Sequence, residues 1–257
     1  MGILESIKKG FSVTASSLPV VLALFVFGFI FNLINMALLP KAPNTPPSPA
    51  MIAAGVVFVL LTIFMQAGSM GYVRDKLKQG NAAFSHFLAA GSGYYVRIFL
   101  LSLVIALVIG AFVLAAALAA ALLGPKAEYA AIGVAIVIAA IGVYTLILLF
   151  FAPYIAVSRD QGVIFSLKES VRLVRANPLK VVGISFLLVA IGFLVGLAIG
   201  LVVGLLTRVM PDRASQILFA VLSSLVNAFL GLFVTASFMS FYLGKSSPQA
   251  GTTAGPQ

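Results

Sequence analysis

Three observations predict an all-α integral membrane protein: a bundle of six transmembrane helices with short amphipathic elbow helices on the cytoplasmic side. The first is composition. Of 257 residues, 62% are hydrophobic and 9% charged, at a mean hydropathy of +1.18, whereas a soluble domain carries about 25% charged residues to keep its surface in water. The second is run length. Six apolar stretches, at about 18–39, 51–71, 94–123, 130–157, 178–206 and 215–243, are as long as the roughly 20 residues that cross a bilayer. The third is charge placement, because basic residues crowd alternate connections.

An even number of spans puts both termini on one side. Lys8 and Lys9 precede the first span, and Arg74, Lys76, Lys78 and Arg97 flank the second and third. Arg159, Lys168, Arg172, Arg175 and Lys180 lie between the fourth and fifth, and Lys245 follows the sixth. Only Lys41, Lys126, Arg208 and Arg213 fall on the opposite loops. Lys and Arg are retained in the cytoplasm during insertion, so a multi-pass protein of the cell membrane with cytoplasmic termini is expected. The net charge of +10 then reads as a topology signal and as attraction to the lipid bilayer and its anionic headgroups. No nucleic-acid partner is expected, because the basic residues hug membrane ends. The first run is too long for a signal-peptide core and is expected to remain as an anchor. With no cysteine in the chain, disulfides, thiolate metal sites and cysteine nucleophiles are excluded.

Two connections share a frame. Gly68-Ser-Met-Gly-Tyr-Val-Arg74-Asp75 and Pro153-Tyr-Ile-Ala-Val-Ser-Arg159-Asp160 both end on Arg-Asp, with Gly68 and Pro153 each six residues earlier as bend points. Each then meets a glycine (Gly80, Gly162) and a Phe-Ser pair (Phe84-Ser85, Phe165-Ser166). The first elbow is expected to be short and broken by Gly91-Ser92-Gly93. The second reads as a helix over 163–176, ending at Asn177-Pro178, where Asn177 would cap the next helix and Pro178 opens it. On that elbow Ile164, Leu167, Val171 and Val174 form an apolar stripe bordered by Lys168, Arg172 and Arg175, as in a helix lying among headgroups. Leu4-Glu5-Ser6 near the N-terminus resembles Lys168-Glu169-Ser170 and suggests a third copy of an internal parallel repeat. Helix-end electrostatics accounts for the Arg-Asp pairs, Arg favouring the negative C-terminal dipole and Asp capping the next turn. A functional alternative has Arg74 and Arg159, with Lys168, Arg172 and Arg175, contacting an anionic headgroup.

Residues 1–243 are expected to form one membrane domain, followed by a disordered tail at 244–257. The loop 40–50 is proline-rich and expected to be extended. In the fifth span Gly192, Gly196, Gly200 and Gly204 recur every four residues, a face that admits close helix packing within the bundle, a homo-oligomer contact or an apolar ligand. Ser223, Asn227, Gly231 and Thr235 repeat that spacing in the sixth span, and Gly28, Asn32 and Asn35 share a face of the first. A carboxamide in hydrocarbon must find hydrogen bonds, so Asn32, Asn35 and Asn227 should point inward, as interhelical glue or as a cavity lining.

All six acidic residues lie at span ends or in loops, so the central carboxylate of a proton-coupled pump is missing. No nucleotide, dinucleotide or zinc motif is present, and no cofactor or metal is expected. A His86–Asp75 acid/base pair is the one catalytic arrangement worth weighing; an interfacial polar role is the alternative for His86.

The run Phe150-Phe-Ala-Pro-Tyr-Ile-Ala-Val-Ser-Arg159-Asp160-Gln-Gly162, followed by Ser166-Leu-Lys-Glu-Ser170-Val-Arg-Leu-Val-Arg175-Ala-Asn177-Pro178, resembles a segment of the membrane domain associated with bacterial glycerophosphodiester phosphodiesterases and related stand-alone membrane proteins. The resemblance covers about 64–205. The catalytic barrel of those enzymes has no counterpart here, so the resemblance implies a membrane domain and no catalytic residue. The expected function is non-enzymatic: binding or passing a small or amphiphilic molecule, lipid included, or supporting a membrane partner. A secondary transporter with a polar midplane cavity and a membrane-interface enzyme are the alternatives.

Overall fold

The computed structural model describes residues 2–38, 46, 48–123, 127–206 and 211–246. Most of the loop 40–50 and the tail beyond residue 246 lie outside them. The described residues are helical throughout their ordered elements, with no strand: α1 (Ile3–Ala15), α2 (Leu18–Leu38), α3 (Pro49–Gln79), α4 (Phe84–Leu123), α5 (Glu128–Leu149), α6 (Ala152–Arg159), α7 (Val163–Ala176), α8 (Pro178–Leu206) and α9 (Asp212–Ser246). Among the described residues, six helical stretches are long and apolar enough to cross a membrane: α2, α3, α4, α5 with α6, α8, and α9. These are the six runs read from the sequence, several of them longer than expected.

The ends of the helices have local causes. Ser48 accepts the Met51 N–H at 3.2 Å and Pro49 occupies the first turn, starting α3. Gly80 stops it in the left-handed region at φ +77°, with its N–H donating to Lys76 O at 3.0 Å. Lys76 and Lys78 sit in that last turn, where the helix dipole favours cations. Over 31 residues α3 is about 46 Å long, more than the roughly 30 Å of hydrocarbon, so one end projects past it.

Gly91-Ser92-Gly93 does not break the first elbow, because α4 runs through it. Ser92 Oγ donates back to Ala89 O at 3.0 Å, and Gly91 faces the Phe64 ring so closely that a Cβ would come within 2.7 Å of it. Packing against α3 outweighs the glycines' low helix propensity. Gly244, Lys245 and Ser246, expected to belong to a disordered tail, are likewise helical, as the last residues of α9, with Lys245 placed where the C-terminal dipole favours it.

By packing, the chain divides into two compact units, 1–95 with 179–257, and 96–178. In the first, α9 lies against α1, α2 and α3. Its buried face includes Leu232, Phe233, Ala236, Ser237 and Met239. In the second, α7 lies against α5 and α6. Both units bury residues near the Arg-Asp motifs, at Ala67–Val73 in α3 and Ala152–Ser158 in α6. Farther along the spans, large apolar side chains face outward, such as Leu122 at 87% and Phe186 at 70% exposure. A protein in water does not leave that much contiguous apolar surface uncovered; hydrocarbon covers it at no cost.

Candidate functional site

In the first unit, α2, α3 and α9 enclose an open-sided cavity of about 630 Å³. Asn32 reaches it from α2, and its Nδ2 donates to Ser224 Oγ of α9 at 2.8 Å. Asn227 also lines it and is exposed there. Gly231 and Thr235 continue the α9 wall, and Gly28 the α2 wall. The two polar stripes of the first and sixth spans therefore meet each other at this cavity. Asn35 is partly exposed and lies outside the lining. One member of the expected α9 stripe differs: Ser224, not Ser223, lines the cavity with Asn227, Gly231 and Thr235. Ser224, 2% exposed, holds Asn32, whereas Ser223 Oγ turns back to Ala220 O at 3.3 Å.

A third wall escaped the sequence reading. Thr62, Gln66 and Ser69 of α3 line the same cavity, and their spacing of four and three places them on one helical face. That spacing inside an otherwise apolar run was the signal available. Among the described lining residues none is ionisable. The chemistry offered is hydrogen bonding by amides and hydroxyls, beside apolar walls at Leu24, Phe27 and Phe58.

The glycine face of α8 does not make the close packing expected of it within its own unit. A Cβ added at Gly192, Gly196, Gly200 or Gly204 would meet no described atom within 4 Å. In this unit α9 instead packs on α1, α2 and α3, and α8 buries Val181, Ile184, Leu188 and Val203.

The first Arg-Asp pair is a clamp between α3 and α4. Arg74 Nε donates to Asp75 Oδ1 at 2.7 Å, its Nη1 donates to Tyr94 OH at 2.5 Å, and the guanidinium lies 5.3 Å from the Tyr94 ring centre. His86 Nδ1 stands 3.3 Å from Asp75 Oδ2. The His86–Asp75 contact weighed from sequence is therefore formed. Asp75 is shared, one oxygen to each neighbour, and both Arg74 and Asp75 are largely buried (19% and 15% exposed), an arrangement that ties two helices together. Asp75 lies within α3 and caps nothing. Lys76 Nζ donates to Ser16 O at 2.5 Å and Ser17 Oγ at 3.0 Å, so this cation closes the C-terminal end of α1.

The second pair is built differently. Proline's missing N–H at 153 accompanies an interruption between α5 and α6. Ser170 of α7 fills the gap: the Phe151 N–H donates to its Oγ at 3.1 Å, and its Oγ–H donates to Leu148 O at 2.7 Å. Asp160 ends α6 in the left-handed region at φ +56°, a conformation Asp tolerates better than most residues, and its carboxylate pairs with Arg97. Here the aspartate ends a helix rather than starting one, and Gly162, not Asp160, precedes α7 as its N-cap. Asn177 also turns backward: its Nδ2 donates to Leu173 O at 3.4 Å, while Pro178 does open α8.

Of the basic residues singled out from sequence, Arg159 and Arg172 meet at Glu169, at 3.6 and 2.8 Å. Lys168 and Arg175 are exposed. Arg74 belongs to the first unit and the other four to the second. What α7 buries is Ser166, Ser170 and Val174, while Ile164 of the expected apolar stripe is 70% exposed.

Residues 1–244 match the model of one family, described as a domain of unknown function, DUF7847. No curated protein and no solved structure matches the chain.

Proposed function

The chain belongs to the DUF7847 family, and we propose that it is a non-enzymatic multi-pass protein of the cell membrane, with cytoplasmic termini, that binds or passes a small or amphiphilic molecule. The observation that carries this reading is the cavity between α2, α3 and α9, where Asn227 is exposed beside Asn32, Ser224 and Gln66 within helices of membrane-spanning length. Amides in hydrocarbon require partners, and Asn32 has one in Ser224. The exposed carboxamide of Asn227 then offers its hydrogen-bonding capacity to water or to a ligand's polar end, while Phe27 and Phe58 receive an apolar part. A volume of about 630 Å³ falls within the roughly 300–1,000 Å³ of small-molecule sites. On α7, exposed Lys168 and Arg175, with Arg172, face anionic headgroups and hold the second elbow in the interface. The shared Arg-Asp frame supports descent of the two elbows from one repeated unit.

Transport through the same cavity is a second reading, favoured by its polar lining. With no ionisable group among the described lining residues, such passage would not be driven by protonation of the site itself. The absence of cysteine from the chain provides the test. Single cysteines at Asn227 and Thr235, in protein reconstituted in lipid vesicles, are expected to react with a small water-soluble maleimide at least about tenfold faster than a cysteine at lipid-facing Leu107, since thiolate formation needs water. Equal, slow labelling at all three positions would show a dry seam and overturn both readings.

A further inference from the structure

A second cavity in the first unit, sharing no lining residue with the polar one, has a different chemistry. It is a groove of about 740 Å³ between α1, α2, α8 and α9. Eleven of its twelve lining side chains are apolar and the twelfth is Lys8. From this geometry we infer that the groove holds one acyl chain of an anionic phospholipid, with the lipid phosphate at Lys8.

The placement of Lys8 fits that occupant. It lies on α1, exposed, one helical turn from Phe11, whose ring meets Phe229 at 5.9 Å and Phe233 at 6.3 Å edge-on. From Phe233 to Leu225 the groove wall follows α9 for about 12 Å, with Ile191 and Val195 of α8 also lining it. One cation beside an otherwise apolar channel is the complement of a molecule with one anionic head and a hydrocarbon tail. The stem of Lys8 can lie along the apolar wall while its ammonium reaches the headgroup level.

The walls also argue against a protein helix as the occupant. Transmembrane helices approach one another closely over Gly, Ala, Ser and Thr, and the groove lining contains none of these, only Phe, Leu, Ile, Val and Lys8. A flexible methylene chain needs no such flat contact. Moving a chain from bilayer to groove exchanges one hydrocarbon environment for another, with little net gain. The selective element is therefore the charge at Lys8, and the preference should be for headgroup sign rather than chain type. This inference rests on the membrane placement of the protein and not on the polar cavity.

The test uses the full chain in nanodiscs of equal parts phosphatidylcholine and phosphatidylglycerol with matched chains, released and weighed by native mass spectrometry. Wild type is expected to retain phosphatidylglycerol roughly fivefold over phosphatidylcholine, the ratio equivalent to about 1 kcal/mol per interfacial lysine. Lys8→Gln should lower that ratio to the level set by the exposed basic residues of α7, whereas Lys9→Gln, beside it but outside the lining, should leave it in place. Val195→Trp, which fills the groove, should remove retained lipid of both kinds. If that variant is not monodisperse, Leu225→Trp on the α9 wall makes the same test. An unchanged wild-type ratio in Lys8→Gln would overturn the assignment. So would undiminished retention in a folded groove-filling variant, which would mean that surface charge alone holds the lipid, and so would displacement by excess inorganic phosphate, which would mean a site for the free anion. Thiol labelling at Asn227 and Thr235 reports on the polar cavity alone, so failure of one reading is distinguishable from failure of the other.

Discussion

After Arg74-Asp75 the helix continues for four more residues to Gln79, and Gly80 then stops it; after Arg159 the helix stops at once, on Asp160. The same dipeptide thus lies inside a helix in one region and ends a helix in the other. Upstream, the aligned positions part company too. At Gly68 and Gly71 the α3 helix is unbroken, and the missing side chains let α4 press in: a Cβ at Gly71 would stand 2.2 Å from Ala90 Cβ, and one at Gly68 would stand 2.7 Å from Phe87 O. At Pro153 the helix is interrupted, and Ser170 from α7 takes up the interrupted bonds. The first elbow is held by close backbone approach and the second by a hydroxyl inserted into a broken helix. A common frame in sequence therefore does not imply a common mechanical solution.

Three pairs of substitutions can break or sharpen this contrast, each read as thermal unfolding in detergent by circular dichroism. The largest effect is expected at Gly71→Ile, where the side chain must push α3 from α4 at a cost of about 3 kcal/mol. Gly162→Ala, in the second elbow, meets open space at an ordinary φ of −70° and should be close to neutral. Equal losses in the two would remove the distinction.

Ser170→Ala comes next. It removes the hydroxyl that bonds both the Phe151 N–H and the Leu148 carbonyl in a buried place, for about 2 kcal/mol. Ser85→Ala, at the exposed position of the first elbow's Phe-Ser pair, should lie within about 0.5 kcal/mol of wild type. A tolerant Ser170 would mean that the interruption between α5 and α6 does not depend on α7.

The smallest contrast concerns the carboxylates. Asp75→Asn weakens a shared, largely buried partner of Arg74 and His86 and should cost about 1 kcal/mol. Asp160→Asn keeps a residue that tolerates positive φ and gives up an ion pair whose aspartate is 69% exposed, so the change should stay within about 0.5 kcal/mol. The reverse order would make Asp160, not Asp75, the structural carboxylate.

Much of the cavity could be read from the chain before its shape was known. Asn32, Asn227, Gly231 and Thr235 announced themselves because polar and small residues are costly or rare inside long apolar runs. Thr62, Gln66 and Ser69 carried the same signal in the second span, muted by Thr62 and Ser69 being only weakly polar. Ser170 could not be recognised, because a serine in an amphipathic helix has no sequence mark to show that its hydroxyl will meet a broken helix 19 residues away. The glycine face of α8 shows the converse: regular spacing permits close approach, yet within its own unit no described atom comes within 4 Å of a Cβ placed there.

Apolar run length, basic residues at alternate connections and the Pro and Gly positions determined, from sequence alone, an all-helical chain with six membrane-length spans and their approximate ends. These are properties of a segment and its solvent, and each span satisfies its backbone internally, so no distant residue is needed to predict it. Which faces meet was decided only by the tertiary structure: α2 with α9 around a polar cavity, and α7 against the α5–α6 interruption. In hydrocarbon an apolar side chain gains almost nothing by leaving lipid for another helix, so hydrophobicity carries no pairing information. Pairing rests on local fit, on where a glycine meets Ala90, an asparagine meets Ser224 and a serine meets a broken helix, and that fit exists only once the chain has folded.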